Sequence, residues 1–400
     1  MQLELSWAPF TTSLADIEPA LFRVRRAADF DMRILLTAYE YPQFMYWLRT
    51  RYPRSTRRPY SEQLQNRLSQ AFLWSDFYSV NLRRLGHEAQ EVVPGNSDLQ
   101  LAWAKEHGLR IGGRWRMRTR RGVIPWLDWQ RETDWAERIF LEQVRAYRPD
   151  VLVVRDISTV TPRLLAEIRQ YVRLIVGQHA SQFDEARDFS GYDLILSSLP
   201  NFVDHFRASG LKAEYMRLGF EPTVLERVKI RTKSIDASFV GKLGGDHATR
   251  APFVERLVAA TCVQLWGTAD EALSKEARKR FGGPAWGIDM YQVLSDSRIT
   301  VNQHESWAGD HANNLRLYEA TGVGTLLITD AKSDLSTLFK PHQEVVVYHS
   351  VEECRELIDH FLAHPAEAAA IAAAGRRRTL SEHTYAHRMQ EFLDLLQGYL

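Results

Sequence analysis

The segment from His304 to Asp330 holds the densest set of residues able to do chemistry. It reads as a strand end, a polar loop, a helix, a glycine turn and a strand. Asn313 and Asn314 are both good helix caps, so a helix should start there. A helix N-terminus offers unpaired N–H groups and a partial positive charge, which suits a diphosphate. Glu319 lies one to two turns further in, where a carboxylate could take both hydroxyls of a ribose. The same pattern fits a capped surface helix with a solvated Glu319.

A second candidate runs from Phe239 to Arg250, where a strand empties into a loop bearing Gly241, Lys242, Gly244 and Gly245. Glycine lets backbone approach a phosphate closely, and Lys242 and Arg250 can neutralise it. The Gly-Lys-Ser/Thr ending of a P-loop is missing, and a plain turn is the alternative. A third is the tight loop 282–291, where Trp286 and Gly287 precede a short helix. It suits a flat base, or simple packing. In the first half, His179 ends an apolar strand, Arg155 and Asp156 end another, and Glu40 and Tyr41 follow the first. A lone histidine is more often structural, but carboxyl ends of strands are where open sheets bind ligands. No Gly-x-Ser-x-Gly elbow is present. His304 and His311 neighbour Glu305 and Asp310, yet their spacing matches no zinc pattern, so no metal is expected.

These residues need strands to carry them. Residues 32–38 read as a buried strand, 39–59 as an irregular loop, and 61–85 as one long helix stopped by Gly86. Strands follow at 87–94, 149–154, 173–177 and 192–198. Helices are expected at 126–147, 161–169 and 202–209. The rhythm breaks near 216–222, and the basic stretch 229–233 reads as linker. A second set follows, with strands at 237–241, 263–267, 299–302, 325–330 and 344–348. Helices are expected at 251–260, 289–294, 315–321, 351–362, 365–380 and 384–396. Short, continuously apolar strands imply helices on both faces of a parallel sheet. The division is 1–217, 218–384 and a tail, 385–400, packing back on the first domain. Two such sheets face each other across a cleft.

The bulk numbers agree with two α/β domains. The chain has 400 residues, 45% hydrophobic and 25% charged, with 51 basic against 50 acidic side chains. That balance gives no reason to expect nucleic acid as a partner. Basic clusters at 49–58 and 110–121 read as solvated faces, or as attraction for an anionic lipid or phosphorylated acceptor. Cys262 and Cys354 are isolated thiols, as suits a reducing compartment. Residues 1–30 include Glu4, Asp16 and Glu18 without an unbroken apolar core, which does not read as a secretory signal. No stretch approaches the ~20 apolar residues of a membrane span. A cytoplasmic protein, peripheral to a membrane at most, is expected.

The stretch Asn314 to Asp330 resembles the donor-site helix of retaining GT-B glycosyltransferases related to family 4, closest to the spore-maturation-type branch. Phe239-Val-Gly241, Trp286 to Tyr291 with Ser297 to Asn302, and Ala374 to Tyr385 support the resemblance over most of 237–390. It implies two Rossmann-like lobes facing a cleft and transfer of a sugar from a nucleoside-diphosphate-sugar, without an obligatory metal or other cofactor. By this resemblance Gly241, Lys242, Arg250 and the backbone near Asn313 and Asn314 meet the phosphates, and Arg316 adds charge there. Glu319 holds ribose, the Gly287 loop holds the base, and His179 touches the sugar. His179, Glu319 and Lys242 are the catalytic candidates. The family pairs its ribose Glu with a second Glu eight positions earlier; here His311 stands there, with Glu305 or Asp310 as substitutes. The acceptor is left open among glycan, lipid-linked sugar, peptide and small molecule. The competing readings are a sugar-nucleotide epimerase, a phosphorylase-like enzyme and a non-catalytic nucleotide-sugar-binding protein. A dehydrogenase lacks its Gly-x-Gly-x-x-Gly after the first strand.

Overall fold

A computed structural model describes residues 32–120, 124–243, 250–269 and 273–400, with backbone alone over 114–120, 124–130 and at 269. The glycine-loop residues 244–249 and the opening residues 1–31 lie outside the described residues.

In chain order the first lobe contains β1 (Arg33–Thr37), α1 (Pro42–Arg51), α2 (Tyr60–Leu68), α3 (Phe77–Arg84), β2 (Glu88–Val92) and α4 (Ser97–Glu106). Then come β3 (Gly113–Arg120), β4 (Ile124–Arg131), α5 (Trp135–Tyr147), β5 (Val151–Arg155), α6 (Pro162–Ile168), β6 (Leu174–Gln178), β7 (Leu194–Ser197), α7 (Pro200–Ala208) and β8 (Ala213–Tyr215). The second lobe contains β9 (Ile235–Leu243), α8 (Arg250–Ala260), β10 (Gln264–Ala269), α9 (Lys275–Arg280), α10 (Ile288–Asp296), β11 (Ser297–Asn302) and α11 (Arg316–Gly322). It closes with β12 (Leu326–Asp330), β13 (Val346–Tyr348), α12 (Val351–Ala363) and α13 (Pro365–Glu382), and the tail helix α14 (Tyr385–Leu396) follows.

Two parallel sheets result, ordered β2-β1-β5-β6-β7-β8 and β10-β9-β11-β12-β13. Their central strands are buried from end to end, as β5, β6 and β7 show, because helices cover both faces.

Three local expectations differ from the structure. The loop expected at 39–59 contains α1, whose Pro42 starts a helix well by supplying the fixed φ and lacking an N–H that would go unpaired. The single helix expected over 61–85 is two helices, because residues 69–76 break it, with Ala71, Leu73 and Ser75 all at positive φ. Ala71 and Phe72 are buried in that loop, so the apolar spacing runs on where the helix stops. The helix expected from 126 begins at Trp135, because residues 113–131 form an antiparallel hairpin. In β3 the arginines occupy alternate positions, which is strand periodicity and not a charge run. The basic stretch 49–58 is partly neutralised at home: Arg49 pairs with Asp98, Arg51 with Asp289 and Arg58 with Glu62.

The chain crosses between lobes twice, and the two crossings lie side by side. Phe220 N donates to His383 O (2.8 Å) and Tyr385 N to Phe220 O (2.9 Å). From there α14 lies on the first lobe, where the Tyr385 ring sits 5.4 Å from both Phe77 and Tyr78. Lys233, in the stretch read as linker, is half-buried, and its ammonium donates to Ser295 O, Ser297 O and Thr325 Oγ1.

His383 sits in the crossing with Nε2 2.9 Å from Leu338 O. Burial pushes its pKa down from 6.5 to about 4, opposed by the Leu338 contact and helped by Arg388, Arg378 and Arg217. Between those values the unfolded chain holds a proton there that the fold does not, so stability rises with pH across that window. Acidification from pH 6.5 to 4 should remove up to about 3 kcal/mol through this residue. Denaturant unfolding across that range should show a shallower loss for His383→Gln than for the parent protein; parallel curves would contradict it.

Candidate functional site

The carboxyl ends of β9, β11 and β12 and the start of α11 come together in the second lobe. Gly241 near the end of β9 pairs with Gly267 of β10, and a Cβ on Gly267 would stand 2.0 Å from Gly241 O. Two arginines clasp the β9 carbonyls around Gly241. Arg250, the first residue of α8, donates from Nη1 to Lys242 O (3.2 Å). Arg316, the first residue of α11, donates from Nη2 to Val240 O (3.1 Å). Arg250 also donates to Gln303 O, forms an ion pair with Glu305, and lies against the Phe239 ring. Burial, then the charge of Arg316, holds its pKa down to about 10, so it remains a cation at neutral pH.

Glu319 is buried, not solvated, on a helix whose residues 317–322 are all buried. Its Oε2 lies 2.8 Å from Arg316 Nη1, and Oε1 receives the Tyr291 hydroxyl at 3.5 Å. Burial raises the carboxyl above its ordinary pKa against the opposing effects of Arg316 and Tyr291. Asn314 Oδ1 accepts from Leu317 N (3.2 Å), while its Nδ2 donates to Asn302 Oδ1 (2.7 Å). It therefore caps the helix and ties it to the end of β11. Asn313 is half-buried in the same approach to the helix. The helix itself starts at Arg316, two to three residues later than the cap residues suggest.

Three buried donor positions here have no hydrogen-bond partner: Nε of Arg250, and Nε and Nη1 of Arg316. Arg316 Nη1 forms an ion pair with Glu319 but is not aligned to donate to it. Buried donors without partners are costly, and a multivalent anion is the natural complement to guanidinium donors.

Beside them stands a pair unassigned from sequence. His304 Nδ1 lies 2.7 Å from Asp330 Oδ1, with the imidazole fully buried. Burial raises the Asp330 pKa, but the contacts with His304 and Lys332 outweigh it and hold the carboxyl below its ordinary range. The two residues are 26 apart and meet because β11 and β12 are adjacent, so only strand pairing could have revealed them. His311 is turned elsewhere, with Nδ1 2.9 Å from Asp334 Oδ2. Among the described residues no group of three His, Cys, Asp or Glu side chains is placed to hold a metal ion.

From the first lobe, His179 follows β6, its Nδ1 3.4 Å from Asp156 Oδ1 and its Nε2 3.3 Å from Ser181 Oγ. Burial raises the Asp156 pKa, but bonds from His179 and Ser158 bring it below its ordinary value. Trp307 of the second lobe donates from Nε1 to Ala180 O (3.3 Å), so the loop carrying His304 and Glu305 touches the His179 loop across the lobe boundary. Gly287 is an interlobe contact too: Ile288 N donates to Gln70 O (2.9 Å). Trp286 packs on Phe72 and Phe44, which is the packing alternative for that loop. Met290 Sδ, one turn on, lies 3.3 Å from Arg316 Nη2. Gly241, Lys242, Arg250, Arg316 and Glu319 thus form one group, with His179 and Gly287 at its boundary with the first lobe.

Two such parallel-sheet lobes are the GT-B architecture. Residues 250–394 match the family described as glycosyl transferase-like. The chain is similar in fold to Anabaena HepE in complex with UDP-glucose, with a TM-score of 0.56 and 10% identity over 92% of this chain and 100% of that one. A glycosyltransferase from Rickettsia africae ESF-5 gives 0.55 and 9%, over 92% and 98%. Sucrose-phosphate synthase from Thermosynechococcus elongatus gives 0.53 and 14%, over 92% and 99%. No curated protein matches the chain. The family match and the fold together support a GT-B glycosyltransferase. No helix among the described residues is long and apolar enough to cross a membrane.

Proposed function

We propose that the protein transfers a sugar from a nucleoside-diphosphate-sugar to an acceptor held by its first lobe, with retention of anomeric configuration and without an obligatory metal. The observation that carries this is the pair of arginines, Arg250 buried and Arg316 half-buried, converging on Gly241, with unpartnered N–H groups and a buried carboxylate one turn away. As the glycosidic bond to the donor breaks, negative charge grows on the diphosphate oxygens. Cations fixed beforehand stabilise that charge more than the ground state, which lowers the barrier. Arg316 and Arg250 meet the phosphates in this account, with Lys242 beside them. Glu319 receives the ribose hydroxyls, the Gly287 turn borders the base, and His179 touches the sugar. The resemblance of residues 314–330 to the spore-maturation-type branch supports retention, and the absence of a metal requirement follows from the arginines supplying the charge. We place the reaction in the cytoplasm.

Incubation with labelled UDP-, GDP- and TDP-sugars and a mixed acceptor panel tests this. One donor should yield a labelled, elongated acceptor and free nucleoside diphosphate, at an unchanged rate in EDTA. Donor isomerisation without transfer, or phosphate-dependent release of a sugar phosphate, would assign the chain to another GT-B activity. Loss of transfer in EDTA would remove the metal-independent mechanism.

A further inference from the structure

A separate cavity lies in the first lobe. It measures about 200 Å³ and sits between one face of β1 and β2 and the helices α4 and α5. Leu35, Trp103, Gln143 and Tyr147 line it, with Tyr60 at the start of α2 and His107 just after α4. Among the described residues its walls include none of Gly241, Lys242, Arg250, Arg316 and Glu319, nor His179. The Tyr147 hydroxyl donates to Glu88 O (3.3 Å) at the start of β2, and Arg33, which pairs with Glu88, starts β1. The cavity therefore reaches the amino ends of these strands, opposite the ends of the sheet that carry Asp156 and His179.

Two of its polar side chains are at least nine-tenths buried: Gln143 is 3% exposed and Tyr60 8%. Among the described residues neither Nε2 nor Oε1 of Gln143 has a hydrogen-bond partner, and the Tyr60 hydroxyl has none. Buried polar groups are normally paired, and each one left unpaired costs about 1–3 kcal/mol. The buried stripe of α5 is Ile139, Phe140, Gln143 and Val144, so Gln143 stands where an apolar residue would carry no such cost. Burial, then the charge of Glu106, raises the pKa of the Tyr60 phenol, so it stays protonated and able to donate.

The other walls decide what complements this amide. Leu35 and Val92 are apolar and buried, and the Trp103 and His107 rings lie 3.9 Å apart and nearly parallel. An alkyl chain would leave Gln143 unpaired. A sugar would set hydroxyls against Leu35, Val92 and the rings. An anion would meet an Arg33 already paired with Glu88, and would be repelled by Gln143 Oε1. A flat heterocycle with a donor beside an acceptor pairs both amide atoms in one plane, as glutamine does at the edge of adenine. Its faces also suit aromatic walls, since every base has a π-face. A second hollow of about 360 Å³ adjoins the first through Trp103 and His107 and is bordered by Arg145 and Arg148, which gives room and charge for a ribose and phosphate.

We propose that Gln143, Tyr60 and the Trp103–His107 pair form a second ligand site, separate from the donor group, that takes the nucleobase of a small nucleoside or nucleotide. The site stands independently of the donor reading. Adenosine, guanosine, cytidine and uridine are the probes, titrated against the full chain and followed by melting temperature. At least one should raise it. The rise should persist in Arg316→Met, which disables the donor group. In Gln143→Met, which keeps the length and removes the paired edge, it should need at least about tenfold more nucleoside. Unliganded Gln143→Met should melt no lower than the parent protein, because an unpaired buried amide gives way to an apolar group of similar shape. No rise with any of the four, or an equal rise in Gln143→Met, would overturn the site and leave the cavity to water. A rise lost in Arg316→Met but kept in Gln143→Met would place the nucleoside in the donor group instead. A lower melting temperature for unliganded Gln143→Met would show the amide to be paired within the fold, which also contradicts the site.

Discussion

Arg316→Met should lower kcat for sugar transfer by about 100- to 1000-fold, the loss typical of removing one preorganised donor from developing charge. Arg316 has three tasks that a thioether cannot perform. It holds Val240 O at the end of β9, it neutralises Glu319, and it presents Nε and Nη1 without other partners. Met preserves length and apolar packing, so the melting temperature should change little compared with the rate. Without Arg316, Glu319 loses its cation while remaining buried, and the pKa of its carboxyl should rise further. Arg316→Lys restores a point charge without the planar fork and should recover only part of the rate. Steady-state kinetics with labelled donor check this. A variant with normal kcat and only a raised KM would place Arg316 at ground-state binding alone.

Gly287→Ala should be the most damaging single-methyl change at the lobe boundary. Gly287 has φ 51° and ψ −121°, outside the regions open to residues with a Cβ. A Cβ there would also stand 1.8 Å from Gln70 O. Strain of this kind costs roughly 1–3 kcal/mol before any clash. The clash falls on the backbone that accepts Ile288 N, so relief requires the lobes to part. The melting temperature and kcat should both fall. Gly108→Ala is the control: φ there is 67°, but nothing lies within 4 Å of the added methyl. If the two variants melt alike, the interlobe contact contributes nothing beyond local strain.

The two sheets are legible in the sequence because each central strand is an apolar run buried on both faces, and burial alone writes that pattern. What is illegible has particular causes. In α1 only Phe44 and Leu48 are buried, so ten residues carry too thin a stripe to mark a helix. Between α2 and α3 the loop buries its own apolar side chains and hides the break. At the site, the Arg316–Glu319 pair follows from i,i+3 spacing on a helix. The meeting of Arg250 with Glu305, of His304 with Asp330 and of Arg155 with Glu91 depends on strand order. The N-lobe residues Glu40, Arg155 and Asp156 stood out as strand-end residues. That two of them enter one buried network with Arg67 depends on where α2 returns to the sheet, and local periodicity does not encode that.

The lobe after the first crossing should seat a nucleoside diphosphate between Arg250, Arg316 and Glu319. The test is titration of the full chain with UDP, GDP and TDP, followed by melting temperature. A ligand at about 100 times its Kd adds roughly 2.7 kcal/mol, so one of the three should raise the melting temperature measurably. Glu319→Ala and Arg316→Met should each abolish most of that rise. Three flat titrations of the parent protein, or an undiminished rise in both variants, would contradict the account.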